Sequence, residues 1–547
     1  MWMPHLLCQT VETEDGIQLA TDIYRPGPGT HPVVLIRTPY HRTGQQASAR
    51  RFLDEGFAVV VQDCRGKFDS GGEFTPLVDE ARDGHAALDW IADQSWCNGR
   101  IGMWGRSYLG IVQVPAASTG HEALRCIAPS VAPGSWFRDW LRYDGCFALG
   151  NAIRWSLTHA SARTQPPLDH VEWTELNPLG SPEEIARHVG FETPILSTWA
   201  EHDVDDDYWQ SIDQDTMHPS VAIPGFHAGG WFDHLTRGQF NAFANIRATG
   251  ASSLARDNQH LLIGPWGHQT IDSSRPGRTT YGQWDFGSTA DLDVTGEEIR
   301  FLNLHLRDID DGFTRERPVK VFTMGRNRWE SYDDWPPPSS TAVTYTLSPG
   351  RLVRGPVEED RVTIPNDPSN PVPTLGGQVY WGLDPRGPVD QRPILGREDV
   401  LFFRSEPFAR PCTVLDPIVL DLTVSCTAEN ADLVGKFCVE LPDETVICLT
   451  VGSFRCCYAQ GFDRKTPLVP GESVGIRIDL GHIAYEFPKD ARIGLIVAGS
   501  DFPRIQTNTG RLDLPWGQPV GKPYQTDLYT GGKAASSLHL HTLDSTA

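Results

Sequence analysis

The chain has 547 residues, with 70 acidic against 47 basic side chains and a formal charge of −23. That length exceeds what one hydrophobic core usually organises, so two or three domains are expected. The negative excess repels phosphate backbones and anionic membrane surfaces, which argues against nucleic acid and membranes as partners. No run of about 18 apolar residues occurs, and Met1 to Thr10 lacks the basic and apolar regions of a secretory leader, so the expected location is the cytoplasm. Eleven cysteines, odd in number and without a CxxC pair, speak against a disulfide scaffold or a zinc site. Adjacent Cys456 and Cys457 are expected to alternate across a strand.

In chain order, Val33 to Arg37 and Phe57 to Asp63 are short, apolar and β-branched, as strands buried on both faces should be. Between Leu77 and Asp93, the spacing of Val78, Ala81, His85, Leu88 and Ile91 predicts a helix with one buried face. A further apolar stretch, Ile101 to Trp104, leads into Gly105-Arg106-Ser107-Tyr108-Leu109-Gly110 and then a helix-compatible run to Ala117. This order predicts a mostly parallel sheet covered by helices, over residues 1–135. Residues 136–220, rich in Trp, Tyr, Arg and Asp with helical periods but few strand signals, read as a cap inserted into that domain. Strand-like runs return at Val221 to His227 and His260 to Gly264, each followed by a helix candidate, Leu235 to Arg247 and Gly296 to Arg307, completing the domain over 221–315. From residue 316 to 547 the pattern becomes short alternating runs separated by Pro and Gly, an all-β domain of sandwich or jelly-roll type. The proline-rich stretch Pro336 to Gly377 reads as loops between its strands.

The chemistry centres on Ser107, because a glycine-flanked serine between a strand and a helix reads as a nucleophile elbow. Here the second glycine comes one residue late, at Gly110, with Leu109 in the usual place. A serine hydroxyl needs an imidazole to take its proton and an acid to orient that imidazole. On a sheet of this type the acid and the histidine follow the serine in that order, each in a loop after a strand. Asp233, after Gly229-Gly230-Trp231-Phe232, and His268, after Gly264-Pro265-Trp266-Gly267, meet both conditions. Their competitors are His234, read as a surface or supporting residue, His227, read as packing within its own strand, and Asp203 in the acidic run Glu201 to Asp207. That run lacks the glycine and glutamate of a calcium loop and is either a solvated loop or a binding point for a substrate ammonium. Trp104, Trp231, Phe232 and Trp266 are candidates for an apolar acyl pocket, with core packing as the competing role.

Taken together, Asp63-Cys64-Arg65-Gly66, the Gly105 to Gly110 elbow, Gly230-Trp231-Phe232-Asp233 and Gly264-Pro265-Trp266-Gly267-His268 resemble the cocaine esterase and X-prolyl dipeptidyl aminopeptidase (S15) group of serine hydrolases. Later segments, including Trp335-Pro336-Pro337-Pro338 and Asn508-Thr509-Gly510, are similar to the same proteins, so the resemblance covers nearly the whole chain. It implies an α/β-hydrolase fold with an inserted helical cap and a C-terminal jelly-roll-like domain. It also implies an oxyanion hole formed by a tyrosine hydroxyl, matched here by Tyr40, together with the backbone N–H of Tyr108. The implied activity is hydrolysis of a carboxylic ester of a small organic acid through an acyl-enzyme, with no cofactor and no metal. Amide or Xaa-Pro peptide cleavage, α-amino acid ester hydrolysis and acyl transfer use the same groups, and a catalytically silent binding protein is the non-enzymatic reading. Substrate class, acyl acceptor and oligomeric state stay open at this level.

Overall fold

The computed structural model describes residues 5–159, 163, 184, 187–188, 190, 194–271, 279–379, 384–512 and 521–544. Ten strands form the first sheet: β1 (His5–Glu12), β2 (Gln18–Arg25), β3 (His31–Thr38), β4 (Ala58–Asp63), β5 (Cys97–Arg106), β6 (Leu124–Ser130), β7 (Gly225–Gly230), β8 (Gln259–Gly264), β9 (Val319–Thr323) and β10 (Arg328–Tyr332). Their order is β1-β2-β4-β3-β5-β6-β7-β8-β9-β10, parallel from β4 through β9 and antiparallel at both edges. β9 and β10 lie beyond residue 316, so the first sheet runs past the boundary expected from the change in sequence pattern. Val319–Thr323 is alternating and short, which is also how a strand of the β domain reads; only its parallel register against Leu261 to Ile263 assigns it.

Both faces of the parallel strands are buried because side chains alternate across a strand. Val33 and Leu35 of β3 join one core with helices α2 (Glu80–Ala92) and α4 (Gln113–Ser118), and Val34 and Ile36 join the other with α1 (Gln46–Asp54) and α7 (Val294–Arg307). Among the helices between these are α3 (Tyr108–Ile111), α5 (Leu149–Thr158) and α6 (Thr236–Thr249). The strand expected at Val221 to His227 begins at Gly225 instead, directly after Pro224, which has no N–H to give to a ladder.

Helix α2 forms where its periodicity predicts, but its buried side is rotated: Glu80, Asp83, Gly84, Ala87, Leu88 and Ile91 face inward, and Val78 is exposed. The reason is electrostatic. Arg37, fully buried on β3, pairs with Glu80 and lies 3.7 Å from Asp83, while Arg65 reaches Asp83 at 2.5 Å, so the acidic residues of α2 are drawn inward. Buried charges persist only when paired in this way.

Between β6 and β7 the described part of the cap consists of helical segments: a π-helical turn at Trp136–Leu141, then α5, then short helices from Pro194 to Ser220. The described residues from 333 onward build a twelve-stranded, largely antiparallel sheet, and three of its strands fall inside the proline-rich stretch expected to be loops. Its longest strand, Cys412–Cys426, shifts register between Leu415 and Val419, around Pro417. One continuous core joins this domain to the first sheet, with Trp231, Phe232, Phe240 and Phe322 packed among β-domain residues such as Val414, Phe437 and Tyr485. Cys456 and Cys457 are buried as expected, but they sit in a 3-10 turn after strand Val446–Arg455 rather than across a strand. All eleven cysteines are free thiols. Among the described residues no helix is long and apolar enough to cross a membrane.

Candidate active site

Strand β5 ends at Arg106, Ser107 turns the chain, and α3 begins at Tyr108. Ser107 has φ 57° and ψ −130°, a backbone conformation that non-glycine residues avoid and that persists only where the surroundings impose it. Here they do: the Ser107 N–H donates to the Ser130 carbonyl at 3.0 Å, and the Ser107 carbonyl accepts from Gly110 at 2.7 Å and Ile111 at 2.9 Å. Two glycines make the turn sterically possible. A Cβ on Gly105 would lie 2.4 Å from the Cβ of Leu109, and a Cβ on Gly110 would lie 2.8 Å from the Ser130 carbonyl oxygen. The close approach of helix to sheet is therefore made by Gly110, which is why Leu109 can stand where a glycine is usual.

The loops after β7 and β8 bring the other two residues to this serine. His268 Nε2 lies 3.0 Å from Ser107 Oγ, and His268 Nδ1 lies 2.9 Å from Asp233 Oδ2. Asp233 accepts the Nδ1–H, which leaves the Nε2 lone pair facing the serine hydroxyl. The second oxygen of Asp233 accepts the Leu235 N–H at 2.7 Å. Burial works to raise the Asp233 pKa, but the neighbouring His268, its hydrogen bond and the Leu235 amide hold the carboxyl below the usual carboxylate range. Asp233 is thus ionised and able to stabilise a charged imidazole.

The competitors are placed elsewhere. His234 is buried, against the surface position considered for it; its ring lies 4.9 Å from that of His268, and its Nδ1 is 3.3 Å from Asp233 Oδ1. Burial lowers its pKa to about 3, so it stays neutral. His227 packs within β7, its Nε2 2.9 Å from Gln259 Oε1. Asp203 pairs with Lys465 of the β domain at 2.5 Å, and Asp206 caps the helix Asp207–Ile212 and pairs with His202 at 2.6 Å. The acidic run thus ties the cap together and to the β domain. Among the described residues, Asp233, His234 and His268 are the one group whose potential metal-ligand atoms all lie within 4.8 Å of one another. Their mutual contacts are those of a serine–histidine–acid arrangement, which accounts for the cluster without an ion.

Tyr40, just after β3, accepts the Trp155 indole N–H at 3.4 Å on its hydroxyl, which lies near enough to the Ser107 side chain and the Tyr108 backbone N–H to feel both, while burial raises its pKa so that it keeps its proton. A phenolic O–H and an amide N–H thus converge beside the nucleophile, the layout that stabilises a developing oxyanion. The Tyr108 side chain points away into the core, where its hydroxyl donates to Glu80 Oε1 at 2.8 Å and accepts from the Leu77 N–H at 3.0 Å.

The aromatic residues proposed for an acyl pocket are core residues. Trp104 donates its indole N–H to buried Glu298 at 2.5 Å, Trp231 to the Phe322 carbonyl at 2.7 Å, and Trp266 to the Ala290 carbonyl at 3.3 Å, while Phe232 stacks on Tyr281. Each lies within the apolar layers that seat the candidate catalytic loops, because the strands they lie on or follow are buried on both faces. The aromatic wall of the site comes instead from residues that the sequence reading did not single out. Trp155 on α5 sets its Nε1 3.4 Å from the Tyr40 hydroxyl, and Phe74 and His159 pack beside it. Behind Trp155 stand Trp136, Trp140 and Trp199 of the cap. The only sequence signal was the abundance of tryptophan in the cap; α5 is buried on nearly all sides, so no stripe marks the face that meets Tyr40.

A parallel sheet with a serine elbow, a histidine and an acid on successive strand-end loops defines a serine hydrolase of α/β-hydrolase type. The family described as X-Pro dipeptidyl-peptidase (S15 family) matches residues 15–270, and its C-terminal non-catalytic domain matches residues 311–539. A cocaine esterase of Rhodococcus sp. (strain MB1 Bresler) is 30% identical over 537 residues, covering 91% of each chain. Among solved structures, an aminopeptidase from a marine sediment Thaumarchaeota archaeon superposes with a TM-score of 0.87 at 23% identity, over 100% of this chain and 98% of that one. An α-amino acid ester hydrolase superposes with a TM-score of 0.82 at 23% identity, over 98% and 96%. The chain belongs to the S15 and cocaine-esterase family of serine hydrolases.

Proposed function

We propose that this serine hydrolase cleaves a carboxylic ester of a small organic acid, with Ser107 as nucleophile, His268 as general base and acid, Asp233 as the orienting acid, and Tyr40 with the Tyr108 amide as oxyanion donors. The observation that carries the reading is the chain of contacts from Asp233 Oδ2 through the His268 ring to Ser107 Oγ, at 2.9 and 3.0 Å, beside the Tyr40 hydroxyl. His268 removes the hydroxyl proton as Ser107 Oγ attacks the carbonyl carbon, and the tetrahedral oxyanion forms between Tyr40 and the Tyr108 N–H. The protonated His268 then gives its proton to the leaving alcohol, and water, activated by the same imidazole, releases the acid. Every step is carried by groups of this chain and water.

Esters are favoured over aminopeptidase-type substrates in that two carboxylates of the acidic run, those of Asp203 and Asp206, are already engaged. An ammonium group needs a carboxylate to hold it, and Asp203 and Asp206 already pair with Lys465 and His202. The test is covalent labelling with a fluorophosphonate probe and turnover of p-nitrophenyl acetate and butyrate, comparing the wild type with Ser107→Ala. Labelling mapped to Ser107 and a fall in kcat of about 10⁴ or more in the variant are expected. An unlabelled but active wild type would remove Ser107 from its role. A rise in kcat/KM when a free amino group is added to the substrate would favour the amino-ester or peptide reading.

A further inference from the structure

We propose that Glu298 is a positioning residue for the nucleophile: its buried carboxylate fixes the ends of β5 and β6 and, through them, the turn at Ser107. The proposal rests on the reading of Ser107 as nucleophile and names what holds that serine from beneath.

Side chains alternate along β5, so positions 102, 104 and 106 face one side of the sheet and Gly105 faces the other. A Cβ on Gly105 would meet Leu109 of α3, whereas one on Gly102 would meet Leu302 and Leu306 of α7. Glu298 lies about one turn before Leu302 on α7, is fully buried, and reaches the strand ends. Its Oε2 accepts the Trp104 indole N–H at 2.5 Å, and its Oε1 accepts the Ser130 hydroxyl at 2.5 Å. The Arg106 guanidinium lies 3.6 Å from Oε2 and donates at 2.7 Å to Thr295 Oγ1 on the same helix. Arg106 and Ser130 end their strands and are paired in register. Helix α7 therefore grips both strands at the point where the nucleophile turn leaves them.

What it grips bears directly on Ser107. Arg106 is the residue before the nucleophile, and the Ser130 carbonyl accepts the Ser107 N–H at 3.0 Å. The φ of 57° at Ser107 needs surroundings that impose it, and Ser130 is one of the residues that do so. A shift of Ser130 or of the β5 end would carry Oγ away from His268 Nε2, to which it stands at 3.0 Å.

The donor set explains why a carboxylate stands here. Trp104 brings an N–H and Ser130 an O–H, and an ionised glutamate offers an acceptor oxygen to each and no donor of its own. Burying a carboxylate is costly unless it is paired and hydrogen-bonded, and here both oxygens are engaged beside a guanidinium. Burial pushes the Glu298 pKa above the ordinary glutamate value, and Arg106, Ser130 and Trp104 oppose that rise. The Glu298 side chain touches no reacting atom, so its effect on catalysis passes through the residues it holds.

The experiment compares the wild type with Glu298→Met, Glu298→Gln, Ser130→Ala and the double variant Glu298→Met/Ser130→Ala. It reads kcat and KM on p-nitrophenyl acetate and the rate of fluorophosphonate labelling at Ser107. Glu298→Met is expected to lower kcat by about tenfold to a hundredfold, since a small displacement of a reacting atom has effects of that order. Labelling should slow in proportion, with KM changed by less than about twofold. Glu298→Gln should keep part of the activity, because its amide oxygen accepts one donor and the Ser130 hydroxyl can turn to accept from its NH2. Ser130→Ala should reproduce part of the loss, and the double variant should be no slower than Glu298→Met, because effects that pass through a shared contact do not add.

Wild-type kcat and labelling in Glu298→Met, or a loss confined to KM, overturns the proposal. So do losses that multiply in the double variant, which would make Glu298 a general stabiliser of the fold. Should Glu298→Met yield no folded protein, Ser130→Ala decides: a lowered kcat at unchanged KM supports the proposal, and a wild-type kcat overturns it. A wild type that is neither labelled nor active is the failure of the Ser107 reading itself, whereas a labelled, active wild type beside an unaffected Glu298→Met is the failure of this proposal alone.

Discussion

The two halves of the catalytic arrangement are held in place by different physics. The elbow half is braced by polar contacts among residues 37–130: the Tyr108 hydroxyl sits on Glu80, Glu80 pairs with Arg37, and Arg37 donates to Gln62 at 2.9 Å, all of it inside the first part of the sheet. The acid half is braced from the β domain. Gln378 donates to the Trp231 carbonyl at 2.8 Å and accepts the Val451 N–H at 3.0 Å, and Trp231 itself donates to Phe322. Around these bonds the apolar core shared by both domains encloses Trp231 and Phe232, the residues just before Asp233. The strained serine turn is thus fixed by a local ionic network, whereas the loop that carries the acid depends on a domain whose residues lie more than 140 positions further along the chain. The β domain thus braces the loop of Asp233, although it contributes none of the three side chains proposed to react.

This comparison can be broken in three ways. The largest effect is expected from Glu80→Ala, which leaves Arg37 fully buried with its nearest partner removed; breaking a buried pair costs about 3–5 kcal/mol. Urea unfolding should show that loss, and a change below about 1 kcal/mol would mean that backbone contacts alone hold the elbow. Gln378→Ala is expected to cost about 1–3 kcal/mol, since it strips the partner from a buried carbonyl and a buried N–H. Hydrolysis should fall with it, while the Ser107 environment is untouched; unchanged kcat together with unchanged stability would show that the apolar core alone positions Asp233.

The smallest effect concerns pH. His482 of the β domain stacks on Phe240 of α6, with ring centroids 3.8 Å apart, and its Nδ1 lies 2.6 Å from Asp416 Oδ2. Burial opposes the charged form of His482, but the carboxylates of Asp416 and Asp479 outweigh it and Arg237, raising the pKa above the ordinary histidine value. A raised folded-state pKa stabilises the fold in full below the unfolded value, about 6.5, and the contribution is lost as pH rises through the folded value. The Tm difference between the wild type and His482→Gln should therefore shrink on going from pH 6 to pH 9. A constant difference would remove the charged histidine from the junction.

How much of this was legible in the sequence depends on how local the determining physics is. The elbow, the acid and the histidine each announce themselves within a few residues, because the strand, the glycines and the reactive group must follow one another in the chain. Leu109 looked like a departure from that pattern; the structure shows that Gly110 provides the close contact with Ser130 one residue later. Edge strands β1 and β2 were missed, and β9 and β10 were given to the wrong layer, because pairing partners are chosen in three dimensions. The tryptophans next to the motifs looked like pocket residues and proved to be packing, since residues that flank a buried strand end are enclosed by the layers around it.

Sequence alone therefore determined the class of chemistry and named the candidate reacting groups, together with the alternation of strands and helices that presents them, because those depend on neighbours in the chain. Tertiary structure decided what surrounds the reacting groups. It drew Glu80 and Asp83 inward to meet buried arginines. It joined the β domain to the loop of Asp233, and it brought Trp155 and His159 against Tyr40, with Phe74 of a separate segment packed on both. Burial and charge pairing are properties of residues distant in sequence, and only the folded chain brings them into contact.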